Sequence, residues 1–228
     1  MRSYRGRMVY LDADGAETGR EFFSVSVAPD GARLLRAQCE MDERQLLRDV
    51  FLEVRKDWTP VEAFVRLTIA GRRRGSAWYR FAGHRVECVS DTLDHGQSTQ
   101  HVTTTEPIQA FGTHSLHNDA WTVGRLRAWQ GPVEALPLVT FTTSATPDGS
   151  TGPALIAYQA GDSIISDHGE HTLDTPLGPM VTRHIRISVP GVDDFEVWAA
   201  GEDCVPVRLS SDGLAQSYAL VQLEGDWR

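Results

Sequence analysis

Residues 21–39, Glu21-Phe-Phe-Ser-Val-Ser-Val-Ala-Pro-Asp-Gly-Ala-Arg-Leu-Leu-Arg-Ala-Gln-Cys39, decide the fold. Phe23, Val25 and Val27 alternate with Ser24 and Ser26, the period-two pattern of a strand with one apolar and one polar face. Asp30-Gly31 then supplies a pair that tolerates the positive φ of a tight hairpin, and Arg33–Cys39 is a second strand-like run. The same unit recurs on both sides. Arg5–Leu11 precedes it across Asp14-Gly15, and Val50–Arg55, Ala63–Ile69, Ala77–Phe81, Val86–Val89 and Ser98–Thr104 follow it. Later runs are Leu138–Thr143, Ala154–Gln159, Met180–Val189, Phe195–Ala199, Val205–Leu209 and Ser217–Leu223.

Several of these runs have unlike faces. Ala63, Val65, Leu67 and Ile69 oppose Glu62, Phe64, Arg66 and Thr68, while Val181, Arg183, Ile185, Ile187 and Val189 oppose Thr182, His184, Arg186 and Ser188. A flat sheet of so many strands would leave two exposed edges. The expectation is therefore a mainly β protein, a large antiparallel meander curled into a barrel or half-barrel. Residues 107–130 lack β alternation, and Leu116, Trp121, Val123, Leu126 and Trp129 can share a broad face. This predicts one principal helix near 115–129 that plugs or covers the concavity. Residues 147–153 read as a loop. No compositional break resembles a linker, so residues 1–228 are expected to form one domain.

Of the 228 residues, 41% are hydrophobic and 23% charged, which suffices for a core and excludes disordered composition. The net charge of −9 is dispersed and no basic stripe is present, so nucleic acid is not an expected partner. Arg72-Arg73-Arg74, beside Gly71 and Gly75, reads as a solvated hairpin tip. Cys39, Cys88 and Cys204 are odd in number and form no CxxC pair; reduced, buried thiols are expected. The first residues contain no long apolar run, so cytoplasmic location without membrane insertion is expected. Nothing in the composition dictates an oligomeric state.

The carboxy-terminal third carries Thr175-Pro-Leu-Gly-Pro-Met-Val-Thr-Arg-His-Ile-Arg-Ile187, then Phe195-Glu-Val-Trp-Ala-Ala-Gly201, Cys204-Val-Pro-Val-Arg-Leu209 and Tyr218-Ala-Leu220. Across about residues 171–223 this resembles the closing strands of uncharacterised bacterial proteins whose curved sheet is similar to that of LolA-type lipoprotein carriers. The resemblance implies an unclosed barrel whose concave face accommodates a hydrophobic molecule. It implies no catalytic residue.

The densest polar constellation is Thr113-His114-Ser115-Leu116-His117-Asn118-Asp119, leading into Trp121. His114 and His117, three apart, are candidates for proton transfer, and Asp119 for orienting an imidazole. The competing reading is a helix amino-terminus capped by Ser115 or Asp119 with exposed histidines. His168-Gly-Glu-His171 and the repeated Asp-His-Gly at 94–96 and 167–169 evoke metal ligands, but a Gly-containing turn fixes no common face, and no metal is assigned. Phosphate loops, dinucleotide fingerprints and GxSxG are absent, so no organic cofactor is expected. Trp78 and Arg80 share a strand face and, with Trp121, Tyr158 and His184, are candidate substrate-binding residues; a snorkelling outer face is the alternative for Trp78 and Arg80.

Three functions fit. One is a pocket enzyme using cofactor-independent acid–base chemistry (elimination, hydration or isomerisation) on a small hydrophobic or aromatic molecule. The second is a non-catalytic carrier or sensor that retains such a molecule unchanged. The third, an interaction scaffold, would show a filled interior and a large apolar patch outside.

Overall fold

Hairpins with positive-φ glycines at their tips, Gly15, Gly31, Gly71, Gly83 and Gly96 among them, lay the first half of the chain down as an unbroken meander. In a computed structural model that describes residues 1–128, 139–146, 148–159, 164–189, 192–211 and 215–227, eight strands come first. They are β1 (Arg2–Leu11), β2 (Glu17–Val27), β3 (Arg33–Met41), β4 (Leu46–Val54), β5 (Pro60–Ile69), β6 (Arg72–Ala82), β7 (Arg85–Thr92) and β8 (Gly96–Thr103). After β9 (Ala110–Gly112), α1 (Leu116–Ala128), β10 (Val139–Thr142) and β11 (Ile156–Gln159), a second meander follows. Its strands are β12 (Ile164–Thr175), β13 (Gly178–Val189), β14 (Val192–Ala200), β15 (Val205–Ser211) and β16 (Gln216–Gly225).

The two meanders join where β16 pairs antiparallel with β1, giving a 13-stranded sheet in the order β12 to β16 and then β1 to β8. Strands β9, β10 and β11 form a separate three-stranded sheet. The large sheet is antiparallel and curved but not closed, with β12 and β8 at its edges. The expected mainly β, half-barrel architecture with one principal helix is thus observed among the described residues.

The alternation seen in the sequence decides which face is inside. Phe23, Val25, Leu35, Ala37, Val50, Leu52, Ala63, Val65, Ala77 and Tyr79 belong to one buried cluster. Helix α1 packs into the same cluster through Leu116, Ala120, Trp121 and Val123, against β13, β14, β15 and β3. It therefore occupies the concave side of the sheet. Trp121 is fully buried, with Trp58 at 5.8 Å between ring centroids. That approach depends on Gly124, because a Cβ there would land on the Trp58 indole.

The helix lies where it is expected, starting at Leu116 and described to Ala128; Trp129 lies outside the described residues. Three local expectations are corrected. The stretch His168–His171, expected as a turn, lies inside a full strand, Ile164–Thr175; its Asp, His, Gly and Glu content conceals it from propensity. Ala110–Gly112 also forms a short strand, paired in parallel with β10. Arg72–Arg74 begin β6 instead of forming the tip, and ion pairs join Arg73 to Asp91 (2.6 Å) and Arg74 to Asp94 (2.8 Å). All three cysteines are free and buried.

Candidate functional site

A row of inward-facing side chains crosses the first meander in register: Met8, Glu21, Cys39, Arg48 and Leu67. Glu21 and Arg48 are polar members of an otherwise apolar face, at 0% and 1% exposure. Each is spent on holding the segment that enters α1. Glu21 Oε1 accepts the Ser115 hydroxyl (2.9 Å) and the His117 amide (3.1 Å). Its Oε2 accepts the Leu116 amide (2.7 Å) and the Cys39 thiol (3.3 Å). A helix start leaves amide hydrogens unpaired and carries partial positive charge, so a carboxylate from the sheet satisfies both needs. Burial pushes the Glu21 carboxyl upward in pKa, and the same hydrogen bonds oppose that shift.

Arg48 completes the anchor. Its Nη1 donates to the His114 carbonyl and its Nη2 to the Asp148 carbonyl, both at 2.6 Å. Asn118 Oδ1 accepts the Thr113 amide and hydroxyl, at 2.9 and 3.0 Å. The helix entry is therefore clamped from both sides.

This clamp determines what the expected catalytic residues do. His114 and His117 do not share a helical face, because His114 precedes the helix with φ of 56°. The His114 Nε2 lies 3.0 Å from the Thr142 hydroxyl. His117 is fully buried, with Phe23 at 4.6 Å, Trp121 at 5.4 Å and its Nε2 3.2 Å from the Tyr4 hydroxyl. Burial lowers its pKa to about 3, so the ring stays neutral and serves as a core group. Its Nδ1 has no hydrogen-bond partner among the described residues, so Asp119 does not orient it. Burial, reinforced by the Glu21 charge and opposed by Arg125, raises Asp119 to about 7.

The expected binding residues are also dispersed. Trp78, 47% exposed, packs on Phe64 at 4.9 Å, and Arg80 faces solvent with Glu62 at 3.7 Å. Both lie on the sheet face opposite Tyr79, which is buried against Phe111 at 4.6 Å. The inward parity of β6 runs through Ala77, Tyr79 and Phe81, which excludes Trp78 and Arg80 from the concavity. Trp121 is core. His184 stacks on Trp198 at 4.2 Å, on the face opposite the buried Ile185 and Val197. The side chain of Tyr158 lies outside the described residues.

A groove that the sequence reading did not foresee opens beside the β12–β13 hairpin. Its volume is about 720 Å³, and Leu177, Pro179, Met180, Val181, Leu223 and Trp227 line it around the Gly201-Glu202 turn. Leu177 and Val181 are 43% and 60% exposed. The hairpin tip is braced: the Thr175 hydroxyl donates to the Gly178 carbonyl (2.7 Å) and accepts the Leu177 amide (3.1 Å). Val181 is in phase with Ile185 in the sequence, yet it is solvent-facing where Thr182 is buried.

The chain matches no family model and no curated protein. Its fold is similar to that of a solved β-barrel-like protein of the domain of unknown function DUF1849 from Brucella abortus, at 10% identity. The match covers 99% of this chain and 98% of that one, with a TM-score of 0.57. A DUF1089 family protein from Pseudomonas aeruginosa is also similar, at 10% identity over 85% of this chain and 90% of that one, with a TM-score of 0.44. At such identity the likeness to the Brucella protein establishes a shared β-barrel-like fold.

Proposed function

We propose that this protein binds a small apolar molecule in the groove beside the β12–β13 hairpin and leaves it chemically unchanged. The observation that carries this reading is the exposure of large apolar side chains on a concave, braced surface: Leu177 and Val181 border a volume of about 720 Å³ with Trp227. That size falls within the range of about 300–1,000 Å³ used by small-molecule sites. Covering such a surface is favoured by roughly 25 cal/mol per Å² of apolar area removed from water. Among the described residues Glu202 is the one ionisable side chain in the lining, which favours retention over acid–base chemistry. His117, one of the two candidate proton-transfer residues, is neutral and enclosed, which favours binding over its use as an acid or base.

Native mass spectrometry of the purified full chain tests the reading. A molecule that is retained by the native chain, released on denaturation and lost in Leu177→Asp is expected. Equal retention by Leu177→Asp, or recovery of a chemically altered product from a supplied apolar compound, would count against it.

A further inference from the structure

On an ordinary strand, His168 and His171 would point to opposite faces, because residues three apart differ in parity. Strand β12 departs from that pattern. Its pairing with β13 shifts between Asp167 and Gly169, and Gly169 adopts φ of 80°. One extra residue at a bulge restores a common face. The register then sets Gly169 opposite His184. The His168 ring comes to 4.6 Å from the His184 ring, and the His171 ring to 5.5 Å.

We propose that His168, His171 and His184 bind one divalent transition-metal ion, with Glu196 as the adjoining carboxylate. Imidazoles that share an ion at metal–nitrogen distances of about 2.0–2.1 Å keep their ring centres about 5 Å apart, close to the 4.6 and 5.5 Å that separate His184 from its two neighbours. His184 is the fixed member. Its ring lies flat on Trp198, 4.2 Å away and 10° from parallel. Its Nε2 is buried without a hydrogen bond, 3.8 Å from Glu196 Oε1. A buried nitrogen whose nearest acceptor stands beyond hydrogen-bond distance is a group that a metal ion would satisfy.

His168 and His171 are exposed and belong to the edge strand, so their rings can turn. Among the described residues no three ligating side chains already converge on a point, and the His168 and His184 rings lie face to face, 23° apart. The ion therefore completes the site: His168 turns its nitrogen inward, and His171 gives up its 3.0 Å contact with the His168 carbonyl. Two nearby cations are already engaged, Arg183 by Asp167 and Arg186 by Asp194, and Arg208 lies against the Trp198 ring. Three imidazoles and a carboxylate select zinc, nickel or copper over magnesium or calcium.

Calorimetric titration of the full chain with Zn²⁺ and Ni²⁺, above the pH range in which imidazole is protonated, tests the proposal. One ion per chain is expected. His168→Ala and His171→Ala, both changes at exposed positions, should each weaken binding by more than about tenfold, while the exposed His95→Ala leaves it unchanged. The Co²⁺-loaded protein should show visible absorption that His171→Ala alters. Absence of binding, or affinity that survives both His168→Ala and His171→Ala, would overturn the proposal.

Discussion

The Glu21 carboxylate, carried by the second strand, accepts the Leu116 amide hydrogen at 2.7 Å and so holds the first turn of the helix to the sheet. The two residues are 95 positions apart, and the same carboxylate also takes the Ser115 hydroxyl and the His117 amide. Glu21→Ala strands these donors in the core. Each unsatisfied buried donor costs about 1–3 kcal/mol, so a loss of at least about 3 kcal/mol in urea unfolding is expected. Glu21→Gln, which keeps one acceptor oxygen, should cost less.

His117 gives the stability a pH dependence of known sign. In the unfolded chain it titrates near its ordinary value of 6.5, whereas burial holds it to about 3 in the folded protein. The neutral ring's contribution is complete above about pH 6.5 and is lost as pH falls towards 3, at up to about 1.4 kcal/mol per pH unit. Thermal unfolding between pH 7 and 4 should therefore be shallower with pH in His117→Gln than in the wild type.

Most of the fold was legible because strand alternation survives burial on one face. The strands from Arg2 to Thr92 and from Gly178 to Gly225 appear where the runs of Val, Ile, Leu and Phe lie. Strand β12 was not legible: Ser-Asp-His-Gly-Glu-His-Thr has low intrinsic strand preference, and pairing with β13 overrides it. The helix anchor did leave a trace. Glu21 is in phase with Phe23, Val25 and Val27, and Arg48 with Leu46, Val50 and Leu52, so charges stand on the apolar parity of both strands. A charge in that phase must be paired inside. The histidine-rich entry to the helix carried no such phase, and its polarity suggested exposure where tertiary packing buries His117.

Gly124 is a packing glycine. A methyl group there would strike the Trp58 ring, while alanine is intrinsically the better helix former by about 1 kcal/mol. Overpacking costs about 1–3 kcal/mol, so Gly124→Ala should be net destabilising and should change the near-ultraviolet dichroism of the tryptophans. Combining it with Trp58→Leu should recover part of the loss.

The two faces of β6 should respond differently. Tyr79→Ala opens a cavity against Phe111 and is expected to cost about 3–5 kcal/mol. Arg80→Ala, on the solvent face, should stay within about 0.5 kcal/mol. Neither the stability nor the ligand binding of Arg80→Ala should differ measurably from wild type.

The apolar groove is tested most directly by titrating an apolar fluorescent probe into the full chain while following the probe's own emission. Saturable binding is expected in the wild type. Val181→Asp, a change at a position 60% exposed, should weaken it more than about tenfold at unchanged melting temperature. Equal probe affinity in the wild type and in Val181→Asp would contradict the assignment of the groove as the binding site.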